Sequence, residues 1–414
     1  MSAYETLGRG YLIVDRGVGS HVFDIEGNEY VDYALGAGAL LLGHAHPAVV
    51  AAIQQQASQS TTFYATTPAT LELAEEIIAA TPYAEQVRFA SSGTEATLYA
   101  IRYAKAVTGR TKILKFAGAY HGAHDCVLMD AGAADVPFGS PVCAGLSPGV
   151  RSEVFVVPYN DLGMCTEVAR RYQADLAAII VEPLQRLIPP APGFLRGLRA
   201  LTEQIGALLI FDEIITGFRL AYGGAGSYYG VTPDLTCYGK VIGGGLPVGA
   251  VCGPRSIMEL SLKETAPTDR FVYHGGTFSG NPMVGAAGLA TLHELRKPGT
   301  YERLHQIGAR ARTELKRTFR AFGVSAAVFG EGPLVGLVFG KDEVQRSGED
   351  TPADRARMME FLGGLLEEGM FVRPSVGLFF ISAVHTDADI DALVLAAERV
   401  LPTMAPVPAR SVGS

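Results

Sequence analysis

The sequence predicts an α/β protein: a mostly parallel β-sheet between layers of helix, with a smaller α+β lobe beside it. Three observations lead there. Fully apolar runs such as Ala177–Val181 and Ala207–Phe211 alternate with helical patterns through the middle of the chain, the mark of strands buried on both faces. After residue 290 the texture changes to a long arginine-rich helix followed by short strands. A chain of 414 residues also exceeds what one ordinary hydrophobic core organises.

Taken in order, residues 11–35 read as a short β-meander. Tyr11–Val14 and Val22–Ile25 have strand character, and Asp24–Asn28 carries turn chemistry. A helix over 47–59 starts at Pro47, which suits a first-turn position. A second amphipathic helix covers 68–80. Val87–Ala90 is a strand that runs into Ser91-Ser92-Gly93-Thr94, followed by a helix over 94–107. Strands follow at Ile113–Phe116 and at Ala177–Val181, which ends on Glu182. A helix over 195–205 leads to Ala207–Phe211, which ends on Asp212-Glu213. Beyond these come a helix at Tyr301–Ala321, strands at Leu334–Phe339, Phe371–Arg373 and Phe379–Ser382, and a helix over 387–401. The proline-bearing tail, 402–414, is expected to be loose. In sheets of this kind ligands sit past the carboxyl ends of strands. Ser92, Glu182, Asp212 and Lys240 all lie just beyond strand-like runs.

Composition narrows the function. With 48% hydrophobic and 18% charged residues the chain is a well-buried globular protein. Its net charge of −8 and lack of any basic run argue against nucleic acid or an anionic membrane as partner. The five cysteines are scattered with no C-x-x-C pair, which suggests free thiols in a reducing compartment. No signal-peptide core precedes residue 10, and no apolar stretch approaches the ~20 residues of a membrane span. A cytoplasmic location is therefore expected.

Three segments carry chemistry. Ser91–Ala96 places hydroxyls and a glycine between strand and helix, where free N–H groups favour phosphate; a plain helix cap is the competing reading. Asp212 follows four apolar residues, an expensive place for an acid without a positive partner. A protonated pyridinium nitrogen is such a partner. A Mg²⁺ ligand is the rival, but it needs a G-x-x-x-x-G-K-[ST] phosphate loop that the chain lacks. Lys240 sits between an apolar run and Gly243-Gly244-Gly245. Desolvation there favours a neutral, nucleophilic amine. Tyr120, in a glycine-rich loop with His121, could stack on a flat ring, and Thr277 could donate to a phosphate. His121–Asp125 matches no standard zinc spacing, and no metal is expected. His44-Ala-His46 reads as a structural turn.

In this order the segments resemble the class III pyridoxal 5′-phosphate (PLP)-dependent aminotransferases, especially the branch around glutamate-1-semialdehyde aminomutase. The resemblance spans nearly the whole chain. It is carried by Gly43–Pro47, Ser91–Ala96, Gly118–Gly122, Val181-Glu182-Pro183, Asp212–Arg219, Gly239–Gly249, Gly276–Pro282 and Ala383–Asp391. It implies fold type I, with a large PLP-binding domain over 48–290 built on a mostly parallel seven-stranded sheet. A small domain would come from both termini, 1–47 and 291–414. A homodimer with active sites at the subunit interface is implied, with a small-molecule amino donor and carbonyl acceptor as partners. Lys240 would be the Schiff-base lysine, Asp212 the pyridinium partner and Tyr120 the stacking aromatic, with His121 in the cofactor-binding set. Ser92, Gly93 and Thr94 would cradle the phosphate, Thr277 would reach it from the neighbouring subunit, and Glu182 would support the site. The activity implied first is transamination through a pyridoxamine phosphate form. The alternative is an isomerase, either an aminomutase or an amino-acid epimerase.

Departures bear on the substrate. Ornithine- and 4-aminobutyrate-type members carry a glutamate shortly after the Glu182 position and an arginine near the strand that here reads Gly377–Ser382. This chain has neither. The aminomutase's aromatic stretch is replaced by Gly36-Ala-Gly-Ala-Leu40, and part of its N-terminal extension, with a substrate-binding arginine, is missing. A roomier or more apolar pocket is expected, with Arg9, Arg186, Arg219 and Arg373 as candidate carboxylate partners.

Overall fold

The computed structural model describes residues 12–130, 139–373 and 376–404. Strands β1 (Val14–Val18), β2 (His21–Asp24) and β3 (Glu29–Asp32) form the antiparallel meander. Asp24 fixes its second turn by accepting the Glu26 and Asn28 N–H groups, the expected turn chemistry. β1 begins at Val14, later than the sequence suggests; Arg9 and Tyr11 lie outside the described residues.

Helices α1 (Pro47–Gln59) and α2 (Pro68–Ala80) each open on proline, where its missing N–H needs no partner. Then come β4 (Gln86–Ala90), α3 (Gly93–Thr108), β5 (Lys112–Phe116), β6 (Val154–Val157), α4 (Leu162–Arg171), β7 (Leu176–Val181), α5 (Phe194–Ile205), β8 (Leu208–Asp212), β9 (Leu235–Gly239) and β10 (Gly249–Gly253). The seven strands β4 to β10 make one sheet in the order β4-β10-β9-β8-β7-β5-β6. Only β10 runs against the rest.

The central strands are apolar throughout because both faces are covered. Ile113, Ile180 and Ile210 pack with Ile101, Tyr103 and Ala104 of α3. Their neighbours Leu114, Ile179 and Leu209 face the other way, against Cys165 of α4 and Leu198 and Leu201 of α5. The parallel direction puts the C-terminal ends of β4, β7, β8 and β9 on one edge. Ser92, Glu182, Asp212 and Lys240 therefore converge.

The chain continues through α6 (Pro282–Leu295), α7 (Thr300–Ala321), β11 (Ala326–Phe329), β12 (Leu334–Phe339), α8 (Pro352–Glu367), β13 (Met370–Phe371), β14 (Leu378–Phe380) and α9 (Asp387–Val400). β11, β12 and β14 form a small antiparallel sheet. Its core is closed by Phe319, Phe361 and Leu393 from α7, α8 and α9. β13 pairs in parallel with β3, tying the opening meander to the C-terminal elements. That strand is shorter than Phe371–Arg373 would suggest. Of the tail expected to be loose, 402–414, Met404 is buried in the same core, and residues 405–414 lie outside the described residues.

Candidate active site

Ser92 caps α3. Its hydroxyl accepts the Glu95 N–H at 3.2 Å, while the Glu95 carboxylate accepts the Ser91 N–H at 2.7 Å. Gly93 and Thr94 are then the first helical residues, whose N–H groups have no partner within the helix and carry its positive dipole end. The loop Gly118–Gly122 is pressed onto this helix start. A Cβ at Gly122 would lie 2.6 Å from Thr94 Oγ1, and the Ala123 N–H donates to that hydroxyl at 3.2 Å.

Two buried carboxylates lie at neighbouring strand ends. Asp212, closing β8, accepts the Ile214 N–H at 3.1 Å and faces His121 Nδ1 at 2.7 Å. His121 is itself buried, and its Nε2 has no hydrogen-bond partner. Glu182, just past β7, accepts the Tyr120 N–H at 2.8 Å. Burial raises its pKa above the ordinary carboxylate range, with the neighbouring His121 opposing. The side chain of Tyr120 is 59% exposed on the cavity it lines.

Lys240 directly follows β9 with φ +48°, a left-handed conformation that a lysine holds only when its surroundings impose it. Close packing around it leaves little choice: a Cβ on Gly239 would touch Ile214 at 3.0 Å, and one on Gly244 would meet the Ala287 carbonyl at 2.7 Å. Burial holds its amine below the ordinary lysine range, with Asp212 opposing and Arg219 reinforcing the shift.

One cavity of about 630 Å³ is lined by Ser92, Gly93, Thr94, Tyr120, His121, Glu182, Asp212 and Lys240. Of the expected site residues only Thr277 lies elsewhere. It is exposed beside a second cleft of about 650 Å³, with Phe89, His274 and Asn281. Of the candidate arginines, Arg186 and Arg373 line the Lys240 cavity together with Ala37 and Ala39. Arg219 does not. It is fully buried, donating to the Ile215 and Gly38 carbonyls.

Two supporting residues escape the sequence reading. Lys115 is buried beneath the Tyr120 loop and donates to the Ala119, Val127 and Met129 carbonyls at 3.2, 2.8 and 2.7 Å. Burial lowers its amine to about 8. Its signal is a lysine inside the apolar strand Ile113–Phe116. Glu213 is fully buried and accepts from the Gly226 N–H at 2.9 Å and the Thr216 hydroxyl at 3.1 Å; burial raises it to about 7. His44 Nε2 lies 2.6 Å from Asp32 Oδ2. Among the described residues no group of three or more His, Cys, Asp or Glu is placed to hold a metal ion, and no helix is long and apolar enough to cross a membrane.

Residues 5–401 match the family Aminotransferase class-III. A curated relative, glutamate-1-semialdehyde 2,1-aminomutase of Desulfitobacterium hafniense, is 44% identical over 406 residues, covering 97% of this chain and 93% of its own. An omega-transaminase structure from Sphaerobacter thermophilus superposes with a TM-score of 0.90 at 33% identity, over 95% of this chain and 91% of that one. A transaminase with PLP bound gives 0.87 at 33% identity over the same shares.

Proposed function

Since the chain belongs to the class-III aminotransferase family, with PLP as its cofactor and fold type I as its architecture, we propose that it shifts an amino group between adjacent carbons of one small substrate. The reaction type is that of glutamate-1-semialdehyde aminomutase. The near full-length 44% identity to that enzyme carries the reading. Transamination between separate donor and acceptor, which the sequence alone puts first, is the second reading. It is favoured by the apolar room that Ala37 and Ala39 leave in the cavity and by the transaminase likeness.

The residues fit PLP. A helix start with unpaired N–H groups and hydroxyls suits a phosphate. A buried carboxylate with its own histidine suits a protonated ring nitrogen. A desolvated amine suits an aldehyde. When bound, the cofactor supplies that aldehyde and a ring able to take up the electron pair of a broken C–H bond.

The remaining work belongs to the chain. Ser92, Gly93 and Thr94 hold the phosphate, and Thr277 of a neighbouring subunit completes that cradle in a homodimer. Asp212 keeps the proton on the ring nitrogen, and His121 keeps Asp212 in place. Glu182 holds the backbone of Tyr120, whose phenol ring would be available to stack on the cofactor. Lys240 Nζ, favoured in its neutral form by burial, would take the proton from the substrate carbon that bears the amine and later return it.

Glutamate-1-semialdehyde supplied alone should give the isomer with its amine on the neighbouring carbon, without added donor or oxo acid. A strict requirement for both an amine donor and a carbonyl acceptor contradicts the isomerase reading and favours the second.

A further inference from the structure

We infer that Arg186 grips the substrate carboxylate, so that the cavity selects amino or oxo acids over plain amines. The inference rests on the PLP-enzyme reading above and names the substrate class of the same site.

The chain leaves β7 through Glu182 and turns back at Gln185–Ile188. The Ile188 N–H closes the turn on the Gln185 carbonyl at 2.9 Å. Both central residues have positive φ, +52° at Arg186 and +68° at Leu187. Such turns ordinarily take Asn-Gly, because a side chain with a Cβ is strained there. The packing accounts for the turn's other members. Leu184, Gln185 and Leu187 are fully buried, and Gln185 Nε2 donates to the Ala117 carbonyl at 2.7 Å. It does not account for Arg186, which is only half-buried and lines the Lys240 cavity.

The Arg186 guanidinium makes no hydrogen bond or ion pair among the described residues; only its backbone N–H is engaged, by Glu182 at 3.5 Å. The acid nearest in sequence, Glu182, feels the Arg186 charge but forms no ion pair with the guanidinium, and Pro183–Leu187 contains no further acid. A guanidinium fork matches a carboxylate in shape and charge. The rival arginines are less suited. Arg219 is walled off in the interior, and Arg373, although it lines the cavity, already has an interaction of its own.

The test uses the full chain loaded with PLP. Its visible absorbance is followed during titration with matched amines, such as 3-aminobutanoate and 2-aminobutane, and with glutamate-1-semialdehyde. The wild type should half-saturate at lower concentration with the carboxylates. Arg186→Gly should raise those concentrations about 10- to 100-fold and leave the carboxylate-free amine within about twofold. Glycine also suits the positive φ, so the melting temperature should not fall. Arg186→Lys, which keeps the charge but not the fork, should recover part of the loss. Equal weakening of both classes, or unchanged preference in Arg186→Gly, overturns the inference. So does a wild type that responds to amines without preferring carboxylates. A wild type that shows no cofactor absorbance at all overturns the PLP-enzyme reading first, and this inference with it.

Discussion

His121 Nδ1 lies 2.7 Å from Asp212 Oδ2, and both side chains are closed off from solvent. Since Asp212 also accepts the Ile214 N–H, its carboxylate is fixed from two sides. We propose that His121 acts through Asp212, as a positioning residue. His121→Leu is predicted to lower kcat about 10- to 100-fold and to make the spectrum of the bound cofactor pH-dependent. Asp212→Asn is predicted to cost about 100-fold or more. An unaltered spectrum and rate in His121→Leu contradicts this role.

Glu182 accepts the N–H of Tyr120, and its proposed role is likewise at one remove. Glu182→Ala leaves that donor without its carboxylate partner and the Tyr120 loop less firmly held against the cavity. The expected result is weaker PLP retention, read as a raised dissociation constant for the cofactor, with the melting temperature of the apoprotein little changed. A drop confined to apoprotein stability points to a structural carboxylate instead.

Lys115 holds three carbonyls under the same loop. Lys115→Met keeps the length of the side chain but strands those acceptors. Urea unfolding should show a loss of about 2–4 kcal/mol. A loss under about 0.5 kcal/mol, the range of ordinary surface substitutions, argues that water replaces the amine.

Stability should also depend on pH through two half-buried histidines, against the opposite contribution of Glu213, whose raised carboxyl favours the folded state at the low end of the same range. Burial lowers both His124 and His274 from 6.5 to about 4. The unfolded chain therefore binds protons first as pH falls. The stabilisation is complete above about 6.5 and is lost progressively towards 4, on the order of 2–3 kcal/mol for each histidine. His274→Phe, which can keep the stack on Tyr99 (3.8 Å between ring centroids), should flatten that slope. Equal slopes in variant and wild type across this window contradict the assignment.

Much of the fold is legible because burial and capping leave local marks. The strand ends at Ala90, Val181, Asp212 and Gly239 are announced by apolar runs that stop at polar residues, and the prolines at 47 and 68 announce helix starts. Other elements leave weaker marks. β10 is a glycine-flanked run, Gly249–Gly253, whose strand character comes from pairing on both sides with β9 and β4. Helix α8 has a mixed face, and its clearest cue is the capping box between Thr351 and Asp354. The site residues are legible as separate segments. Their partners are not, because His121 meets Asp212 across 91 positions of sequence and nothing local announces that contact. The left-handed turn at Arg186-Leu187 is hidden for a different reason: neither residue is one that prefers it.

The covalent role of Lys240 is the claim on which the mechanism stands. The direct measurement is borohydride reduction of the PLP-loaded protein, followed by mass analysis of its peptides. The account predicts a pyridoxyl adduct on the peptide carrying Lys240, absent in Lys240→Ala together with the visible absorbance and all turnover. A reduced adduct on another lysine, or full turnover in Lys240→Ala, contradicts it.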